Sequence, residues 1–146
     1  MDWKQFAIDK LGEYNARKQS LTTIPVLIAE IDASMSGVRS ARTDNIAVKT
    51  TAKNNQEDML LNCIAKKTEL QNNLSRAKKW IQCMDRALEQ LQPEERRILE
   101  LLFIYPAKNN VDRLCDELCV EKSRVYDKRN KALRRFTIIM YGYVES

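Results

Sequence analysis

Apolar residues recur along most of this 146-residue chain at helical spacing, and two stretches keep a stricter rhythm. Leu21, Ile24, Ile28, Ile31, Met35 and Val38 alternate steps of three and four residues. Leu60, Cys63, Lys67, Leu70, Leu74, Ala77, Ile81, Met84, Leu88 and Leu91 do the same, with Lys67 the one charged member. A repeat averaging 3.5 residues keeps one helix face turned toward a partner helix over many turns. The intervening residues 39–56 are rich in Thr, Asn and Ser, lack a helical period, and read as a flexible basic tip. The pattern predicts a coiled-coil-like antiparallel helical hairpin whose second helix, from about 57 to 91, protrudes beyond its partner. Most of each seam is expected to be core. The surplus of the longer seam is open to a second copy of the chain or to cover by Trp3, Phe6 and Tyr14.

The flanking segments are helical as well. Over residues 2–22, Trp3, Phe6, Ala7, Leu11 and Tyr14 form an apolar stripe behind Asp2, a residue type suited to N-capping. Pro25 removes a backbone donor and restricts Ile24, so a break or kink is expected around residues 23–25, or a new helix starting at Pro25. A boundary is expected at 92–93, where Pro93 suits a first helical position and Glu94 and Glu95 meet the positive end of the dipole. Residues 93–105 then make a helix with Ile98, Leu101, Leu102 and Tyr105 inward, stopped by Pro106. Asn110 caps a short helix over 111–118, a tight turn follows, and a last helix runs to Gly142. Ile138, Ile139, Met140, Tyr141 and Tyr143 are too apolar for a free tail, so they should dock on the opening helix, the long hairpin helix or a second subunit. The expected fold is all-α: a helical hairpin region over 1–92, then a compact three-helix unit over 93–146.

Composition agrees with helices, since the chain holds only three Gly and three Pro. The net charge of +5 is compatible with nucleic acid without requiring it. Its distribution says more. Lys122, Arg124, Lys128, Arg129, Lys131, Arg134 and Arg135 fall within one helix against the single acid Asp127. The chain has no histidine, so the commonest general base and metal ligand are missing. Its four cysteines form no CxxC pair, and Cys115 and Cys119 have no second pair to complete a zinc site. Reduced thiols, the lack of a leader-like apolar segment and the lack of a membrane-length apolar run predict a cytoplasmic protein. No P-loop, glycine-rich loop or paired carboxylates point to an enzyme, and no cofactor or metal is expected.

Residues 111–136, VDRLCDELCVEKSRVYDKRNKALRRF, have the apolar spacing of a helix-turn-helix. Leu114 and Leu118 lie four apart on the first helix, and Cys115 supplies a small side chain for close approach. Cys119 stands where the turn favours glycine because of positive φ. Val120 plugs the turn and Val125 anchors the second helix. With Val125, Leu133 and Phe136 inward, residues Lys122, Ser123, Tyr126, Asp127 and Asn130 turn outward. Such a pair with one basic face fits a DNA major groove. Lys122 suits guanine, Ser123 either kind of base and Asn130 adenine, while Asp127 suits a cytosine amine or sets register by repelling phosphates. Arg129 lies nearer the buried side and is open to an internal ion pair or a DNA contact.

The order LxPEERxIL, loop, LCxELCVEKSRV, KALRRF resembles region 4 of the sigma-70 family of RNA polymerase factors over about residues 91–136. That resemblance implies Lys122, Ser123 and Asp127 toward base edges, with Arg124, Tyr126, Lys131 and Arg134 toward phosphates or the groove wall. No sigma region 2 precedes it. The opening MDWKQFAIDKLGEYNARKQSL, the basic tip and the long second helix are similar to small prophage regulators of late genes of the ArpU and RinA types. The resemblances imply a sequence-specific regulator of transcription bound to double-stranded DNA, acting on packaging or lysis genes. Two other classes fit the same elements: a sigma-like module docking on RNA polymerase, and a DNA-packaging protein like a small terminase subunit. A homodimer is a candidate assembly, and no membrane partner is expected.

Overall fold

The computed structural model describes the backbone of residues 2–44 and 50–144 and the side chains of 2–37 and 55–144. Every element among the described residues is helical. They are α1 (Trp3–Asp44), α2 (Thr50–Glu89), α3 (Pro93–Leu99) with a π-helical continuation (Glu100–Ile104), α4 (Asn110–Leu118) and α5 (Lys122–Tyr141). None is long and apolar enough to cross a membrane. The chain forms two compact units, one of Met1–Lys18 with Lys79–Ser146 and one of Gln19–Lys78. The expected border at 92–93 is a helix boundary inside the first of these.

α1 opens as its sequence predicts, with Asp2 Oδ1 accepting the Lys4 N–H at 3.0 Å. The break expected at residues 23–25 does not occur, and α1 runs through Pro25 to Asp44. An internal proline costs about 3 kcal/mol. In the turn before it the Thr22 and Thr23 hydroxyls donate to the Gln19 carbonyl at 2.8 and 3.2 Å, back-bonds that favour bending and do not offset that cost. Ile24 and Met35 are buried on either side of Pro25, with Ile28 and Ile31 half-buried between them, so the seam stays on one face across the proline. The loop expected over 39–56 is likewise shorter than its composition implied. Residues 39–44 and 50–56 are helical, and 45–49 lie outside the described residues. Thr, Asn and Ser each cost only a few tenths of a kcal/mol in a helix already nucleated, so they slow propagation without stopping it.

In the unit Gln19–Lys78 the seam positions with described side chains are buried or half-buried, whereas most of their neighbours are exposed. Lys67, the charged seam member, is held there by Asp32, with Nζ 2.6 Å from Oδ1. A cation on an apolar seam is tolerated when its ammonium reaches a partner and its methylenes pack.

The other unit carries most of the core. Ala7, Leu11 and Tyr14 of α1, Ile81, Met84 and Leu88 of α2, and Leu133 and Phe136 of α5 are buried. Tyr14 donates a 2.5 Å hydrogen bond to Asp85 Oδ1, and the Arg17 guanidinium lies 4.6 Å over the Trp80 ring. The α5 tail meets the opening helix through Tyr141, but the expected docking is partial, since Ile138, Tyr141 and Tyr143 stay exposed and Ile139 and Met140 are half-buried. Tyr141 and Phe6 rings meet at 5.7 Å, and Lys10 Nζ lies 5.3 and 5.1 Å from the two rings. Gly142 ends α5 at φ +78, a conformation glycine adopts without penalty.

One inward assignment fails. Tyr105 is 47% exposed, while Leu99 and Ile104 are buried. The cause is the π-helical turn, where Tyr105 N–H bonds to Glu100 O at 2.8 Å, five residues back. One extra residue per turn rotates the later side chains out of the 3.6-residue register.

Burial, then the hydrogen bond to Asp85 and that carboxylate's charge, push the Tyr14 hydroxyl well above the usual tyrosine range. The folded state therefore holds the Tyr14 proton more tightly than the unfolded chain. That contribution is complete below about pH 10 and declines as pH rises beyond it. Tyr14→Phe is expected to lower stability at pH 7 by about 1–2 kcal/mol and to flatten the alkaline loss, as measured by urea unfolding at pH 7 and pH 11.

Candidate functional site

Asn109 occupies the N-cap of α4 with a φ of +55, a left-handed conformation that asparagine accepts more readily than most residues. The expected cap, Asn110, is the first helical residue instead. Its side chain still serves the helix start, accepting from Val111 N–H at 2.8 Å and donating to Leu101 O at 3.4 Å. α4 ends at Cys119 with φ +55 and ψ +46, the positive-φ turn position expected from the sequence. Val120 N–H then closes onto Cys115 O at 3.2 Å, and extended Glu121 leads into α5.

The three-residue connection holds α4 and α5 over one small core. Ile98, Leu101, Leu114 and Val125 are its buried centre, with Leu102, Val111, Cys115, Leu118 and Val120 packed around them. Every apolar position singled out over 111–125 therefore serves this core. Cys115 is half-buried in it and Cys119 is exposed. Among the described residues no group of three potential ligands could hold a metal ion. α3 is fastened to α4 by a two-pronged pair, Arg97 Nε and Nη2 to Glu117 at 3.1 and 2.9 Å. That hydrogen-bonded pairing holds the Glu117 carboxyl below its ordinary range, so it fades only as acid protonates the carboxylate.

With Val125, Ala132, Leu133, Phe136 and Thr137 buried, the 100° step per residue sorts the polar side chains of α5 into rows. Asp127 and Arg134 lie away from the core with Ser123 beside them, and Asn130 continues that row to the edge of the core, seven residues before buried Thr137. Arg124, Lys128, Lys131 and Arg135 form the row on the α3 side, and Arg124, Lys128 and Lys131 line a shallow cleft with Glu94, Glu95 and Ile98. Of the candidate readers, Lys122, Ser123, Arg124, Tyr126, Asp127, Lys131 and Arg134 are exposed, and Asn130 is half-buried.

The seven cations of this helix are unequal. Lys128 Nζ is 2.5 Å from Glu94 Oε1, and Arg135 Nε is 3.7 Å from Glu95 Oε1. Arg129 does not make the internal ion pair, one of its two expected roles, among the described residues. It is half-buried, stacks its guanidinium 5.1 Å over the Tyr126 ring, and donates from Nη2 to Asn130 Oδ1 at 3.2 Å. Its Nε is buried without a partner. Lys122, Arg124, Lys131 and Arg134 make no ion pair among the described residues. The α3 acids were visible in the sequence as helix-start residues. Their pairing with Lys128 and Arg135 depends on how α3 crosses α5, which no local pattern encodes.

The model of a family described as a protein of unknown function, DUF1492, matches residues 37–137. The chain belongs to that family. The match runs from the end of α1 through α2, α3 and α4 to Thr137 in α5 and contains the whole of the basic face. No curated protein and no solved structure matches the chain.

A non-glycine residue in the left-handed region costs on the order of 1 kcal/mol. Cys119→Gly is therefore expected to stabilise the protein by about 0.5 kcal/mol, the relief being partly offset by the freer unfolded chain. Cys119→Val should destabilise it by at least about 1 kcal/mol, because β-branching resists positive φ. Thermal unfolding of both variants under reducing conditions checks the pair.

Proposed function

We propose that this protein is a sequence-specific regulator of transcription that binds double-stranded DNA through α5. In this reading α4, the turn at 119–121 and α5 act as a helix-turn-helix, with α3 completing a unit like sigma-70 region 4. α1 and α2 form an antiparallel hairpin, as the pairings of Tyr14 with Asp85 and of Asp32 with Lys67 support. The observation that carries the proposal is the division of charge on α5. Lys122, Arg124, Lys131 and Arg134 are exposed and uncompensated around the polar residues Ser123, Tyr126 and Asp127, at the start of a helix anchored from beneath by Val125. Cations of this kind supply phosphate affinity, and the first turns of a recognition helix supply base contacts.

The geometry changes two roles. Asn130 is half-buried and already accepts from Arg129, so base reading falls to Lys122, Ser123 and Asp127, with Tyr126 positioned by Arg129. Lys128 and Arg135 are held by acids and do not supply the resting affinity. The resemblance to prophage late-gene regulators supports a reading in which the protein works in the cytoplasm at promoters of packaging or lysis genes, with no catalytic step. RNA polymerase is a further candidate partner of the same unit.

Fluorescence anisotropy with DNA from upstream of its own gene cluster, across a salt series, tests the proposal. Affinity should fall steeply with salt, and Arg124→Ala and Lys131→Ala should each reduce the logarithmic salt slope by about one. Binding without salt dependence, or unchanged in Lys122→Ala/Arg124→Ala, would exclude it. Polymerase capture without DNA would instead favour a docking module, and a large ring in sedimentation a packaging protein. Glu94→Gln releases Lys128 and is expected to raise DNA affinity by roughly threefold in the same assay, with the gain shrinking as salt screens the added charge.

A further inference from the structure

We infer that two copies of this chain associate through the groove between α1 and α2 in the unit Gln19–Lys78, about a twofold axis that runs along the helices. The groove is lined by Leu27, Glu30, Ile31 and Ser34 of α1 and by Lys66 and Leu70 of α2. Leu27 lies off the heptad seam and is 40% exposed, so packing between α1 and α2 does not account for it. Met59, one helical repeat before Lys66 on the same face, is also exposed. The seam beneath is unfinished. On α2, Leu60, Cys63, Leu70 and Leu74 are only half-buried, whereas the same repeat is buried from Ala77 onward. Two helices cover one side of each other's apolar stripe, and a four-helix arrangement closes the other side.

The charges on the groove identify the occupant. Glu30 stands on one lip and Lys66 on the other, and neither makes an ion pair among the described residues. The Asp32–Lys67 bridge sets the register of the two helices, so Glu30 and Lys66 lie within about one helical turn of each other along the axis. A groove with one acid lip and one basic lip at matching height is complementary to itself. A twofold axis parallel to the helices lays α1 of one copy over α2 of the other. Glu30 then faces Lys66 of the partner subunit, twice, with the Leu27, Ile31 and Leu70 side chains of both copies between them. An axis across the helices would bring Glu30 toward its own symmetry mate and is disfavoured by like charge. The inference rests on this unit alone, and a failure of DNA binding leaves it intact.

Sedimentation of the full chain without DNA, over a range of concentrations, tests it. The expected species is a dimer at twice the chain mass. Glu30→Lys and Lys66→Glu should each weaken the dimer about tenfold, because symmetry introduces each repulsion twice, and the two together should restore it to within about threefold. Circular dichroism of each variant should match the parent, since both side chains are at the surface. A monomer at every concentration, an assembly larger than a dimer, insensitivity to either single reversal, or failure of the combined reversal to restore association would each overturn the inference.

Discussion

The apolar face of α5 is the constraint on which the rest of the structure depends. Val125 seats its first turn on the Ile98, Leu101 and Leu114 core, Leu133 and Phe136 bury its middle, and Tyr141 meets Phe6 at its end. A twenty-residue helix held at three points along one side cannot roll about its axis. Its polar side chains therefore keep one orientation toward solvent, and that fixed orientation turns a run of basic residues into a surface. The turn at Cys119 serves the same end, because its left-handed conformation ends α4 and turns the chain into α5 within three residues.

Charge on that surface is apportioned by its neighbours. Glu94 and Glu95 favour the start of α3 through the helix dipole, and Glu95 also accepts the Gln92 N–H at 3.0 Å. The same carboxylates meet Lys128 and Arg135 across the α3–α5 crossing. Two of the seven cations are thereby committed to the fold, and the remainder form a narrower basic band than the sequence displays. For the proposed DNA contact the consequence is specificity of place. In that proposal affinity gathers at the first turns of α5 and along Lys131 and Arg134, where the polar residues proposed to read bases are also exposed.

The heptad seams and the apolar positions from Leu114 to Val125 were legible because helical burial has a period, and the described seam side chains are where that period puts them. The positive φ at 119 was legible from the helix-turn-helix spacing, which favours glycine there, and Cys119 adopts it despite being a departure from that preference. Two local readings gave way because local preference is weaker than its surroundings, and a third because the helical period itself changed. Pro25 did not break α1, because buried seam residues on both sides kept one helix favourable. The polar residues flanking 45–49 did not stop α1 or α2. Tyr105 left the core because a π-helical turn added a residue, which a fixed 3.6 period cannot register.

What the sequence determined by itself is periodic and local: the helical class, the faces of the helices, the short turn and the location of the positive charge. Each of these follows from backbone sterics and from the tendency of apolar groups to leave water, which act over a few residues. Only the tertiary structure decided which cations are neutralised and that residues from both ends of the chain share one unit. Those outcomes depend on how helices cross, and a crossing brings together residues tens of positions apart, whose separation carries no signal in the chain.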